Sequence, residues 1–150
     1  MKKQIFTSVA ALGFLLTLAV ASVAQSKMKI EAKIPFDFTV GGTELRAGNY
    51  TVTARGAAAL MIRSEDGGNT AMQLADTIHN SEPCAETKLV FRRDGERYFL
   101  SEVWTVGDNS GRQLFRSRQE RAFERSAAAA PKNNPTRAGS GRVEIRATLR

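Results

Sequence analysis

The chain has 150 residues, of which 42% are hydrophobic and 25% charged, and its formal net charge is +7. This composition fits one ordinary globular domain, too polar for a multi-span membrane protein and too apolar for a fully disordered chain. The single Cys and the single His exclude an intramolecular disulfide, a Cys-based zinc cluster and a two-His metal motif. We therefore expect a protein that is not an enzyme and that has no metal site and no cofactor.

The N-terminal segment has the organisation of a secretory signal peptide. Lys2 and Lys3 precede a long uncharged run that is almost wholly apolar over residues 9–20, and the small residues Ser22 and Ala24 follow it. An uncleaved anchor is the alternative, because a membrane-spanning helix needs roughly 20 apolar residues. We expect cleavage after Ala24 and a secreted or periplasmic location, since export without disulfides fits a bacterial envelope.

The positive charge is unevenly distributed along the chain. Residues 25–117 carry 12 basic and 12 acidic residues, whereas residues 118–150 carry eight basic and three acidic ones. A neutral body with a basic tail indicates loose attraction to an anionic surface. The predicted contacts with such a surface are Lys132, Arg137, Arg142, Arg146 and Arg150.

Most of the body is predicted to form strands. Apolar side chains occupy the even positions from Ile30 to Val40, a period of two that predicts a half-buried strand, and Pro35 places it at an edge or a bulge. Shorter strands are predicted at residues 50–54, at residues 60–63, and around Met72 and Leu74. The polar stretch 76–87, which contains His79 and Cys84, is predicted to be a loop.

A hairpin is the clearest local prediction. Asp94-Gly95 separates two β-rich runs at residues 88–92 and 97–104, and Gly tolerates the positive φ that a tight turn requires. Strands at even spacing with polar turns predict an all-β fold, either a small antiparallel sandwich or a partly closed barrel.

Helix signals appear only near the C-terminus. Ser117 and Glu120 have the spacing of a capping box, and residues 118–130 favour a short helix that ends before Pro131. Residues 131–150 then form a flexible basic tail by composition. Its last eight residues alternate again, which fits either a terminal strand or chance within a flexible tail. The predicted organisation is a signal peptide (1–24), a β domain (25–117), a short helix (118–130) and this tail (131–150).

Two stretches of the body, within roughly residues 30–120, contain these motifs: Ile34-Pro35-Phe36-Asp37-Phe38, Ala47-Gly48-x-Tyr50, Lys88-Leu89-Val90-Phe91, Arg97-Tyr98-Phe99-Leu100, Val103-Trp104 and Gly111-Arg112. With these motifs the chain resembles a group of small secreted β-rich proteins of Acidobacteria, whose function is unknown. It implies export and a β-rich body, and it assigns no catalytic residue.

Three candidate functions follow from these patterns. The first is a secreted or periplasmic non-enzymatic binding or interaction module of the cell envelope. Its partner is an anionic envelope component or a protein, with no specific nucleic acid and no membrane span after signal cleavage. The second is a β-barrel carrier of a small apolar ligand. Its site is predicted at Tyr98 and Trp104, which share a face if their strand is regular. The third is a hydrolase that uses His79 as its general base, although no Gly-x-Ser-x-Gly elbow is present.

Overall fold

The computed structural model of the protein describes residues 28–129 and 141–150. The predicted signal peptide lies outside the described residues, as do Lys132 and Arg137. Within the described ranges, no helix is long and apolar enough to cross a membrane.

The described residues form eleven strands and one helix. In chain order these are β1 (Lys29–Ile34), β2 (Phe38–Val40), β3 (Thr43–Leu45), β4 (Gly48–Arg55), β5 (Ala59–Ser64), β6 (Thr70–His79), β7 (Lys88–Asp94), β8 (Arg97–Trp104), β9 (Ser110–Leu114), α1 (Arg118–Ala129), β10 (Gly141–Arg146) and β11 (Thr148–Leu149). The strands build one large mixed sheet that is largely antiparallel and not closed. Its order is β10-β7-β8-β9-β6-β5-β4-β1-β11. β2 pairs with β3 and, in parallel, with β8. The prediction of a mostly β protein with a short helix near the C-terminus is confirmed.

The long first strand of the prediction is divided in two. The alternation holds, because Ile30, Ile34 and Phe38 are all buried. The chain leaves the sheet after Ile34, where Pro35 has no N–H to donate to a neighbouring strand. At this break the Asp37 carboxylate accepts a hydrogen bond of 2.8 Å from the N–H of Ala47.

β6 is longer than predicted, and residues 76–79 are strand rather than loop. Its first half pairs with β5 and its second half with β9, so both halves have hydrogen-bonding partners despite their polar sequence. Ala71 and Ala75 face the core, whereas Met72 and Leu74 face solvent. The prediction was wrong for residues 76–79 because their sequence is mostly polar, and their strand conformation depends on pairing with β9, a distant part of the chain.

The hairpin of β7 and β8 turns at Gly95, whose φ is 63°. The pairing of its two strands contains a β-bulge, since the register shifts between Val90 and Phe91. A bulge adds one residue to one strand, so the side chains beyond it point to the opposite face. This local irregularity determines where the aromatic residues of β8 point.

Residues 141–146 and 148–149 are strands, so the structure contains the terminal strand that the sequence had left open. β10 pairs with β7, β11 pairs with β1, and only Ala147 separates them. Val143, Ile145 and Ala147 pack against the core. The two ends of the sheet are therefore formed by consecutive parts of the chain.

The core contains an aromatic cluster to which both motif stretches contribute. Phe36 stacks on Tyr98 with ring centroids 3.9 Å apart. Phe38 packs edge-on against Tyr50 at 5.0 Å and against Phe91 at 5.4 Å. The motif residues in this cluster therefore serve to pack the fold together.

Candidate functional site

Tyr98 and Trp104, the predicted ligand-binding pair, lie on opposite faces of β8. Tyr98 packs with the core beside Phe36, whereas Val103 takes the inward position next to Trp104. The bulge lies between the two aromatic residues and reverses the alternation of side chains between the faces of β8. The prediction that they share a face assumed a regular strand. The structure therefore does not bring them together in one pocket.

Trp104 is buried on the outer face, where it packs flat against β9. Its indole Nε1 donates a hydrogen bond of 2.7 Å to the Glu102 carboxylate. A Cβ atom placed on Gly111 would lie 2.7 Å from the indole ring, so only a glycine leaves room for it. The sequence Val103-Trp104 and the distant Gly111 are thus parts of one packing arrangement.

The described arginines of the predicted anionic-surface contact all lie in ion pairs. The pairs are Arg142 with Glu102 at 3.0 Å and Glu144 at 3.2 Å, Arg146 with Glu86 at 2.7 Å, and Arg150 with Glu31 at 2.9 Å. Exposed pairs of this kind contribute little to stability, because water and salt screen them. They also neutralise the charge locally, so these arginines are poorly suited to attract an anionic surface.

Lys88 and Glu144 form a further pair at the same place, with Nζ and Oε2 2.8 Å apart. The hydrogen bond from Lys88 lowers the pKa of Glu144, and the same bond raises the pKa of Lys88. β10 is therefore attached to β7 by an ion pair as well as by backbone pairing.

His79 lies at the end of β6, opposite Ser110 of β9, and its side chain is exposed. The Asp108 carboxylate accepts hydrogen bonds from the N–H and the hydroxyl of Ser110, at 3.0 and 2.7 Å, and these bonds lower the pKa of Asp108. Neither Ser110 nor Asp108 is hydrogen-bonded to the imidazole. An activated serine requires such a bond between nucleophile and base. Over the described ranges, no group of three or more His, Cys, Asp or Glu side chains could hold a metal ion.

An exposed apolar surface, here called the apolar patch, consists of Met72, Leu74 and Phe115. Their exposed fractions are 64%, 58% and 51%. Leu74 and Phe115 are adjacent, because the N–H of Phe115 donates a 3.0 Å hydrogen bond to the carbonyl of Leu74. Gln73 donates from its side-chain amide to the carbonyl of Phe115 at 2.8 Å, which fixes the chain after β9. Sequence reasoning missed this surface, because alternation separates the two faces of β6 without showing which is inward, and the larger apolar residues lie on the outer face.

Helix α1 packs on the face of the sheet turned away from the core. Arg92 of β7 holds two of its carboxylates, with Nη2 3.4 Å from Glu120 and 3.2 Å from Glu124. Arg97 lies over the ring of Phe123 at 4.8 Å. Phe123 is thus the aromatic contact of a helix otherwise held by charged groups.

The predicted capping box is half formed. The Ser117 hydroxyl accepts a hydrogen bond of 3.1 Å from the N–H of Glu120, as the motif requires. The Glu120 carboxylate instead contacts Arg92, and it is nearly buried there. Burial raises the pKa of Glu120, an effect that the charge of Arg92 only partly offsets.

A groove of about 390 Å³ lies between β7, β8, β9, α1 and the start of β10. Its lining includes five charged side chains: Arg92, Glu102, Arg116, Glu120 and Arg142. Sites for apolar ligands are lined mostly by apolar and aromatic groups, so this groove is chemically unlike the cavity predicted for a carrier.

Comparisons of the chain with protein-family models, with curated proteins and with solved structures find no match. The arguments for function therefore rest on the geometry of the described residues.

Proposed function

We propose that this protein is a secreted or periplasmic, non-enzymatic binding module of the bacterial cell envelope. The observation that carries the proposal is the apolar patch, in which Leu74 and Phe115 are adjacent and each is more than half exposed. Exposed apolar side chains that lie together are typical of interaction sites. The expected location rests on the signal-peptide organisation of the first 24 residues.

The patch is not needed to form the sheet. Antiparallel strands with one face in water normally carry polar residues on that face, as β6 does at Thr70 and Asp76. Met72 and Leu74 depart from this rule, although their side chains add nothing to the core. Such a departure is best explained by a partner that covers the patch.

We also infer that the sheet is a partly closed barrel rather than a sandwich. The inference is supported by the positions of β10 and β11, which are consecutive in the chain and occupy the two ends of the strand order. A segment of ten residues can link those ends only when they lie near each other. The interior contains buried side chains such as Val52, Ile62 and Phe91, which favours a binding module over a carrier of an apolar ligand.

The decisive test is retention of the exported protein on its own envelope fraction. The double variant Leu74→Ser/Phe115→Ser is compared with Val106→Ser, which removes a similarly exposed apolar side chain at the turn between β8 and β9. We expect the double variant to bind at least about tenfold more weakly, because each buried side chain contributes about 1.5 kcal/mol or more. Val106→Ser should bind like the parent, and equal melting temperatures would verify folding. Parent-like retention of the double variant would refute the proposal.

A further inference from the structure

Helix α1 has two chemically different faces. Glu120, Phe123 and Glu124 contact the sheet through Arg92 and Arg97, as described above. The opposite face carries Arg118, Arg121 and Arg125, all of them exposed. Their spacing of three and four residues places them in one stripe about 10 Å long, at a rise of 1.5 Å per residue. We call these three residues the arginine stripe.

The arginine stripe differs from the C-terminal arginines in its electrostatics. In the part of the chain that the structure describes, none of its three guanidinium groups forms an ion pair, whereas Arg142, Arg146 and Arg150 all do. The helix carboxylate of Glu124 is held by Arg92 and Arg116 on the side of the sheet. The stripe therefore presents uncompensated positive charge to the solvent.

The arginine stripe begins close in the chain to the apolar patch, and both are exposed on the side of the sheet turned away from the core. Phe115 lies three residues before Arg118, and its N–H is bonded to Leu74. Cations beside exposed apolar side chains suit the interface of a bilayer, where apolar groups enter the acyl boundary and cations contact anionic headgroups. Guanidinium groups also form paired hydrogen bonds with phosphate oxygens.

We propose that the partner of this module is an anionic membrane surface, bound by the arginine stripe together with the apolar patch. The inference deepens the proposed function and rests on it. An acidic polysaccharide would match the charge of the stripe but offers no apolar phase for Met72, Leu74 and Phe115. A bilayer offers anionic headgroups to the stripe and an apolar phase to the patch, and it is therefore the proposed partner.

The test is sedimentation of the exported protein with vesicles of phosphatidylcholine that contain phosphatidylglycerol, at low salt. The variant Arg118→Gln/Arg121→Gln/Arg125→Gln removes the stripe. The matched control Arg142→Gln/Arg146→Gln/Arg150→Gln removes the same number of charges from ion-paired arginines. Three cations near an anionic surface strengthen binding by roughly 100-fold, so the stripe variant should lose about that factor. The control should lose less than about tenfold, because its arginines are already neutralised by carboxylates. Raising the ionic strength to 0.15 M should weaken the parent, since screening then acts over about 8 Å.

Three results would overturn the inference: equal binding of the parent to pure phosphatidylcholine vesicles, parent-like binding of the stripe variant, or an equal loss in the control. Binding to polygalacturonate in place of vesicles would identify an acidic polymer and would also refute the bilayer. The envelope-retention test separates the two proposals. If Leu74→Ser/Phe115→Ser abolishes retention while the parent does not bind vesicles, the result supports the binding module and refutes the lipid partner. If that variant is retained like the parent, the proposed function itself fails.

Discussion

Substituting Gly111 by Ala tests how β8 and β9 fit together. A Cβ atom at Gly111 would lie 2.7 Å from Cδ2 and Cε3 of Trp104 and 2.9 Å from Cε2. Carbon atoms in good contact are about 3.5–4.0 Å apart, so the ring or the strand must move by roughly 1 Å. The indole cannot shift freely, because its Nε1 is hydrogen-bonded to Glu102 at 2.7 Å.

Two terms set the size of the effect. Forcing an extra methyl group into a packed region costs about 1–3 kcal/mol. Moving the indole away from Glu102 also weakens a hydrogen bond to a charged group, worth about 1.5–3 kcal/mol. Since relaxation avoids part of each cost, we expect Gly111→Ala to lower the free energy of unfolding by roughly 3 kcal/mol. For a domain of this size that corresponds to a fall in melting temperature of about 10 °C.

Urea and thermal unfolding measure this loss, with Gly141→Ala as the control. A Cβ atom at Gly141 has no atom within 4 Å, so that substitution should change stability by less than about 1 kcal/mol. The same Gly111→Ala change is then made in a Trp104→Ala background. It should be nearly neutral there, because the atoms it meets are gone. A small effect of Gly111→Ala in the parent, or an equal effect in both backgrounds, would show that the indole does not lie on Gly111.

Further predictions concern the hairpin, the buried carboxylate, the last strands and the signal. Gly95→Val places a β-branched side chain at a φ of 63° and should cost more than about 1 kcal/mol in thermal melting; an unchanged melting temperature would exclude a tight hairpin. Glu120 and Glu144 should give opposite pH effects on stability relative to their Gln variants, measured by urea unfolding at several pH values. The raised pKa of Glu120 makes the parent lose stability as pH rises above 4.5, whereas the lowered pKa of Glu144 makes it lose stability as pH falls below 4.5. The same sign for both would contradict their assigned environments. Deleting residues 141–150 uncovers Leu89 and Phe91 and should lower the free energy of unfolding by about 2–4 kcal/mol, whereas unchanged urea unfolding would mean that the last strands are not part of the sheet. Intact-mass measurement of the exported protein should show a chain that begins at Gln25, and a mass that includes residues 1–24 would indicate an anchored protein.

Local patterns predicted the local elements of this fold. The alternation of Ile30 and its neighbours, the turn at Gly95 and the helix after Ser117 each depend on residues close in sequence, and each is present in the structure. Gly111 shows where such reasoning ends. Its role depends on Trp104, a residue on another strand, and the sequence contains no local sign of that contact.

The candidate site was predicted less well than the fold, for physical reasons. The faces of Tyr98 and Trp104 depend on a bulge that is defined by pairing with β7, and the periodicity of β8 alone does not reveal it. The apolar patch was hidden because Met72 and Leu74 are larger than the alanines that actually face the core. Hydrophobicity indicated a strand there, but the packing partners determined which side became the interior.

Net charge is a poor guide to an electrostatic surface when strands bring distant residues together. Arg142 is 40 residues from Glu102 in sequence, yet their side chains form an ion pair because β10 lies beside β7, and β7 lies beside β8, which carries Glu102. The composition of the tail indicated free charge at this arginine, and the topology removes it. Arg118 and Arg121 belong to the same basic region, but they lie on the exposed face of α1. The fold therefore determines which arginines remain free of ion pairs, and this is why the proposed membrane contact is placed on α1 rather than on the final strands.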